Sequence, residues 1–299
     1  MKKPSVSQAA VWTARAAWVL LAFVPSPMGD ALADAGRTAQ ITFTTAAWVV
    51  WATGVLAIAW LSPVSLTAIR VVAPFALIGQ TVATLARPNL GEAAVLWPLV
   101  GVALAVAAAF SVFLPDYAAA HVQAAAYGAE RRLPLRVPIP QIAPIVLAWL
   151  VTAGLVASSL FLVASEVWVG AVPCCLAAAT ACWFLLPRLH RFSRRWLVVV
   201  PAGVVVHDHV LLAETFMVKT HSVTGVRAVA SPGEALDLSG VARGTLIAIE
   251  LREAENLALS PYLSRMLGTL DAVHVRGYAI APTLTGQALA ALTKPPATT

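Results

Sequence analysis

Few side chains in this chain have the type and spacing for chemistry. His207-Asp208-His209, with His221 close behind, offers imidazoles to a metal. Alternate residues of a strand share a face, so both imidazoles of the triplet would aim one way. A zinc site needs three or four ligands, and this spacing does not place a full set. A polar turn between strands accounts for the triplet without a metal. Cys174, Cys175 and Cys182 fall in one apolar segment. Spacing of four and eight puts Cys174, Ala178 and Cys182 on one helical stripe, where small residues serve a helix contact. The spacing is neither a disulfide framework nor a zinc site. Asp116, Tyr117, His121, Tyr127 and Glu130 form a polar cluster that could pair an acid with a base. Interfacial anchors on a solvated helix end are the preferred account of it. No catalytic, cofactor-binding or metal residue is assigned.

Arg15, Arg70 and Gln80 interrupt apolar runs, and ionisable residues inside a span are functional candidates by default. Both arginines lie near one end of their runs, where a long side chain reaches the interface. Arg70 and Gln80, with Thr53, Thr81 and Thr84, are the groups a transport path would use. Pro74, Gly79 and Pro173 are the breaks such a path would exploit.

The elements that must position these residues are mostly lipid-soluble. Of the 299 residues, 60% are hydrophobic and 11% charged, and mean hydropathy is +0.81. Soluble proteins carry about 25% charged residues. A chain this poor in charge cannot coat a globule. The net charge of +6 is unevenly placed. Through Arg195 there are 13 Lys and Arg against 6 Asp and Glu, and beyond it 7 against 8. A nucleic-acid footprint would need a basic face on the water-soluble part, and the excess lies elsewhere.

Six membrane spans are expected, at roughly 9–24, 41–60, 66–85, 93–114, 142–164 and 167–186. About twenty apolar residues match a hydrocarbon core of about 30 Å. The first run is open to a second reading, a signal peptide with an apolar core at 16–24 and a cleavage site at Ala31-Leu32-Ala33. Gly101, Ala105 and Ala109 make a small-residue stripe in the fourth span. A helical extension is expected at 118–129. A linker stiffened by Pro134, Pro138, Pro140 and Pro144 follows.

Charge sets the orientation. Lys2, Lys3, Arg131, Arg132, Arg136, Arg188, Arg191, Arg194 and Arg195 fall in the proposed inner segments, against Arg37 and Arg87 outside. Lys and Arg next to a span resist translocation, so both termini are expected in the cytoplasm. Arg188, Arg191, Arg194 and Arg195 form a basic knot at the end of the sixth span. It is expected to face the anionic inner leaflet, with Arg188, Arg191 and Arg195 on one side of a continuing helix. Lysine should serve there as well as arginine.

After Arg195 the pattern turns to strands, expected at 196–200, 204–207, 215–219, 223–229, 245–251, 257–259 and 273–280. Glu253-Ala254-Glu255-Asn256 reads as a turn, and a helix at 284–292 precedes a PPATT tail. The pieces RRWLVVVPAGVVVHD, FMVKTHSVTGVRAV and IAPTLTGQALAALT resemble the bacterial PH-like domains at the ends of multi-pass membrane proteins. That resemblance, over roughly the last hundred residues, implies a bent β-barrel capped by a helix, with an interaction role. The turn Pro201-Ala202-Gly203 carries no Lys or Arg, which disfavours specific headgroup binding there.

The expectation is therefore an α-helical membrane bundle, residues 1–195, followed by a small α+β PH-like domain, residues 196–299. It would be a non-enzymatic scaffold in a bacterial plasma membrane. Its partners would be the bilayer and a protein bound through the cytoplasmic domain, with no nucleic acid and no cofactor. Homo-oligomerisation is open. The alternatives are a small-molecule transporter or channel and, third, a membrane-embedded enzyme using Asp116, His121 and Glu130.

Overall fold

The computed structural model describes residues 6–87 and 95–294. Lys2, Lys3, the first residues of the expected fourth span, the loop residues Pro88, Asn89, Gly91 and Glu92, and the PPATT tail lie outside them. The chain forms two compact units. The first holds residues up to Ala120 with Leu147–Pro187. The second holds His121–Val146 with Arg188–Thr299.

The first unit is helical. Helices α1 (Val6–Leu20), α3 (Arg37–Ala59), α4 (Pro63–Leu85) and α5 (Leu96–Phe113) make its core, with a short α2 (Pro27–Ala31) between the first two. Helices α7 (Ile139–Ala164) and α8 (Trp168–Ser193) bury few side chains. Ser62 and Ser65 form a reciprocal capping box, and Pro63 follows at the first helical position, so α4 starts where the sequence puts its turn. Five helices, α3, α4, α5, α7 and α8, are long and apolar enough to cross a membrane. Helix α1 has 15 residues, about 22 Å at 1.5 Å each, short of a full span. It is nonetheless deeply packed. The Trp18 indole donates to the Trp51 carbonyl at 2.9 Å, and the Trp51 indole donates to the Trp18 carbonyl at 3.2 Å. Trp18 lies against Gly54, where a Cβ would come within 2.0 Å of the ring.

The second unit is built from two separated stretches of chain. Strands β1 (Arg131–Pro134), β2 (Trp196–Val200), β3 (Gly203–His207) and β4 (Phe216–Lys219) form one antiparallel sheet in that order. A second sheet has the order β5-β7-β8-β6, from β5 (Val223–Val229), β6 (Leu236–Asp237), β7 (Leu246–Ala258) and β8 (Ala272–Ile280). Helix α9 (Pro261–Leu267) joins β7 to β8, and α10 (Thr285–Thr293) closes the chain. One apolar core takes Leu197, Val199, Val204 and Val206 from the first sheet, Ile247, Ile249, Tyr278 and Ile280 from the second, and Ala288 from α10. Residues 196, 198, 200 and 205 point to the other face, where Val122 packs. Burial on both faces explains why these strands read as unbroken valine runs.

Three expectations change. The boundary at Arg195 does not divide the chain cleanly, because residues 121–146 belong with the β-unit. The stretch read as a linker supplies β1, whose Leu133 opposes Leu197 and whose Pro134 opposes Trp196. Strand β1 pairs along β2 and adds Leu133 and the adjoining Leu135 to the core. The helical extension is also shorter, as α6 (Pro115–Gln123). Finally, Glu253-Ala254-Glu255-Asn256 is no turn. It lies within β7, where the register with β8 shifts between Glu250 and Glu255. Glu253 is exposed and Glu255 half-buried, at a bulge that locally disrupts the ladder.

Candidate functional site

The hairpin β2–β3 turns through Pro201 and Ala202, and its register pairs Trp196 with His207. One step further along the same register, Arg195 faces Asp208. Arg195 Nε donates to Asp208 Oδ1 at 2.8 Å and Nη2 donates to Oδ2 at 2.6 Å, with both side chains 1% exposed. This is the bidentate geometry that a guanidinium and a carboxylate share. The third arm, Nη1, donates to the Arg136 carbonyl. Asp208 Oδ1 also accepts from the Val210 and Leu211 amides at 3.0 and 3.2 Å. A buried charge survives only when paired and hydrogen-bonded, and both conditions are met.

The Arg195 centre gathers the stretch that follows β1. The Leu135 amide donates to the Arg195 carbonyl at 3.0 Å, the Arg136 amide to Ala281 at 2.8 Å, and the Thr283 amide to Pro134 at 2.9 Å. The Arg136 guanidinium donates to the Arg243 carbonyl at 2.7 Å and to Thr285 Oγ1 at 3.1 Å. Residues 134–136 are thus stitched to β2, to the loop before β7 and to the start of α10.

The expected basic knot divides accordingly. Arg188, Arg191 and Arg194 are exposed, and the first two lie on α8, which runs on to Ser193. Arg195 does not join these three at the surface, and is buried at 1% exposure. The helix has ended, and the strand register turns its side chain inward to Asp208. Beside it, His207 stacks on Trp196 with centroids 4.8 Å apart and contacts His209 edge-on at 4.4 Å. Arg132 lies over the Trp196 ring at 5.4 Å. Burial, with His209, Arg194 and Arg132 adding to it, holds the His207 imidazole down to about 4. Asp208, the middle of the suspected metal triplet, is engaged with Arg195. Among the described residues no group of three or more His, Cys, Asp or Glu could hold a metal ion.

In the helical unit, Arg15 Nε donates to the Ile58 carbonyl at 2.9 Å and Arg70 Nε to the Val112 carbonyl at 3.0 Å. These carbonyls lie in the last turns of α3 and α5, where no intrahelical donor remains and positive charge is favoured. Both arginines therefore cap helices. Thr53, Thr81 and Thr84 donate to Val49, Leu77 and Gln80 carbonyls of their own helices. Gln80 differs, because its Oε1 is buried without a hydrogen bond.

The remaining candidates serve local structure. Cys174 contacts the Leu155 carbonyl at 3.5 Å, Cys175 is exposed, and all three cysteines are free. Tyr117 and His121 are fully buried. Glu130 pairs with Arg132 at 2.7 Å. The Gln123 side chain donates to the Glu130 carbonyl and accepts from the Arg132 amide, tying α6 to β1. Sequence reasoning counted Arg136 only as an inner basic residue, and missed its bridging role and the inward role of Arg195. The Arg195–Asp208 pairing was within reach, since the hairpin turn already sets which residues face each other. No protein-family model, curated protein or solved structure matches this chain.

Proposed function

We propose that this is a non-enzymatic multi-pass membrane protein that presents its β-unit as a PH-like docking module on the cytoplasmic side. The observation that carries this is the dual origin of the β-unit. Strand β1 precedes the α7–α8 hairpin and β2 follows it, so the unit is tethered at two points. A module tethered at two points is kept beside the helices that carry it, which suits a scaffold.

The excess of Lys and Arg in the inner segments supports cytoplasmic termini. The burial of Trp18, Ala14 and Ala17 supports counting α1 as a sixth, short span rather than a signal peptide. A transport path has one group in its favour, the unpaired Gln80 Oε1, while Arg70 and the three threonines are spent on backbone carbonyls.

Single cysteines at Ala202 and at Asp34, in a background without the native three, test the topology. A membrane-impermeant maleimide on intact cells should label position 34 and leave 202 unlabelled until the cells are permeabilised. Labelling of 202 from outside would reverse the orientation and end the proposal. Affinity purification of the full chain in mild detergent should then bring down a protein partner that an Asp208→Asn variant loses.

A further inference from the structure

We infer that two loops of the β-unit dip into the inner leaflet of the bilayer that the chain spans. The inference rests on the membrane reading above.

The β-unit contains its own reference to the membrane. The first two turns of α7 and the last turns of α8 belong to it, and both helices are apolar enough to span. Each loop is bonded to one of those junctions. The loop between β6 and β7 packs Gly240 on Pro138, just before α7, so closely that a Cβ there would come within 2.6 Å. The Arg243 carbonyl takes the Arg136 guanidinium. The second loop, α9 and the residues after it, is bonded to the α8 side. Its N-cap Ser260 donates to the Leu211 and Val210 carbonyls at 2.9 and 2.8 Å. The amides of those two residues are held by Asp208, and Asp208 is held by Arg195.

Both loops expose what water disfavours. Val241 is 54% exposed with φ of +62°, a conformation that a β-branched residue rarely adopts. The second loop exposes Met266, Leu267 and Leu270, the last to 80%. Exposed Arg243 lies two residues from Val241 and exposed Arg265 adjoins Met266, while Leu270 is followed by the exposed carboxylate Asp271. Exposed apolar side chains with an arginine close by in each loop match a surface of headgroups over acyl chains. The β2–β3 turn, at the other end of β2 from Trp196, has neither feature.

The test uses the full chain, with its three cysteines changed to alanine, in nanodiscs of phosphatidylcholine and phosphatidylglycerol. Single cysteines at Val241, Leu270, Ala202 and Phe161 carry a polarity-sensitive fluorophore. Val241→Cys and Leu270→Cys should show a blue-shifted emission that nitroxide-labelled lipid quenches, as should Phe161→Cys in α7. Ala202→Cys should be quenched by aqueous iodide instead. Iodide quenching at 241 and 270 with lipid quenching at 161 overturns this inference and leaves the membrane reading standing. Loss of lipid quenching at 161 overturns both. Shielding of 241 and 270 from both quenchers means a protein covers the loops, and that also overturns it.

Discussion

Arg195 shows how a residue's role depends on what lies across from it. Removing one member of a buried ion pair costs about 3–5 kcal/mol, because the other is left charged and dry. Arg195→Gln and Asp208→Asn should therefore each destabilise the β-unit by about that much. Arg195→Lys should fail too, because an ammonium cannot make the bidentate contact and reach the Arg136 carbonyl. Arg191→Gln, at an exposed arginine of α8, should leave thermal stability unchanged. Thermal unfolding followed by limited proteolysis checks all four. His207 gives a pH dependence at the same corner. It takes its proton near pH 4 in the folded chain and near 6.5 when unfolded. The unfolded state holds more protons between those values, so stability should fall as pH drops from about 6.5 toward 4. His207→Phe keeps the stack on Trp196 and should flatten that part of a melting-versus-pH profile.

At the scale of elements, α1 is shorter than the span expected at 9–24 and β1 was not expected at all. Helix α1 is held by Trp18 against Gly54. Gly54→Val should expel the indole and cost at least about 1–3 kcal/mol, as overpacking does. Gly154→Val in α7 has open space around it and serves as the control. Melting of the detergent-solubilised protein reads the difference. The long apolar helices were legible in the sequence, because twenty uncharged residues have few other fates. The valine-rich strands were legible for a similar reason. Strand β1 was not: four residues with two arginines and a proline carry no period, and pairing with β2 alone makes them a strand. The charged stretch within β7 misled in the opposite sense, since a bulge lets Glu253 and Glu255 stay in a strand. Of the site, the basic residues were visible by type. Their division into three exposed arginines and one buried one needed the hairpin register.

For the whole molecule, two-point attachment makes the β-unit a joint product of both halves of the chain. A chain cut in the tight turn at Glu166 should reassemble when its two parts are expressed together, because β1 on one part pairs with β2 on the other. Co-purification of the two parts through a tag on either one checks this. Leu133→Asp, which puts a charge into the core, should abolish it. If the parts separate with β1 intact, the attachment contributes little to holding the molecule together.

The order of the pieces also sets a schedule for synthesis. Strand β1 leaves the ribosome roughly sixty residues before β2. At about 5–20 residues per second, that is a wait of about 3–12 s. On the proposed topology, α7 and α8 are threaded into the bilayer during that wait, and both ends of the hairpin return to the compartment where β1 was left. A hairpin inserted the wrong way, or only halfway, leaves β2 across the membrane from its partner. Arg195 then has no carbonyl at residue 136 to bind, and the Leu133 side of the sheet stays open. On that topology the β-unit can be completed only after the hairpin has been inserted the right way.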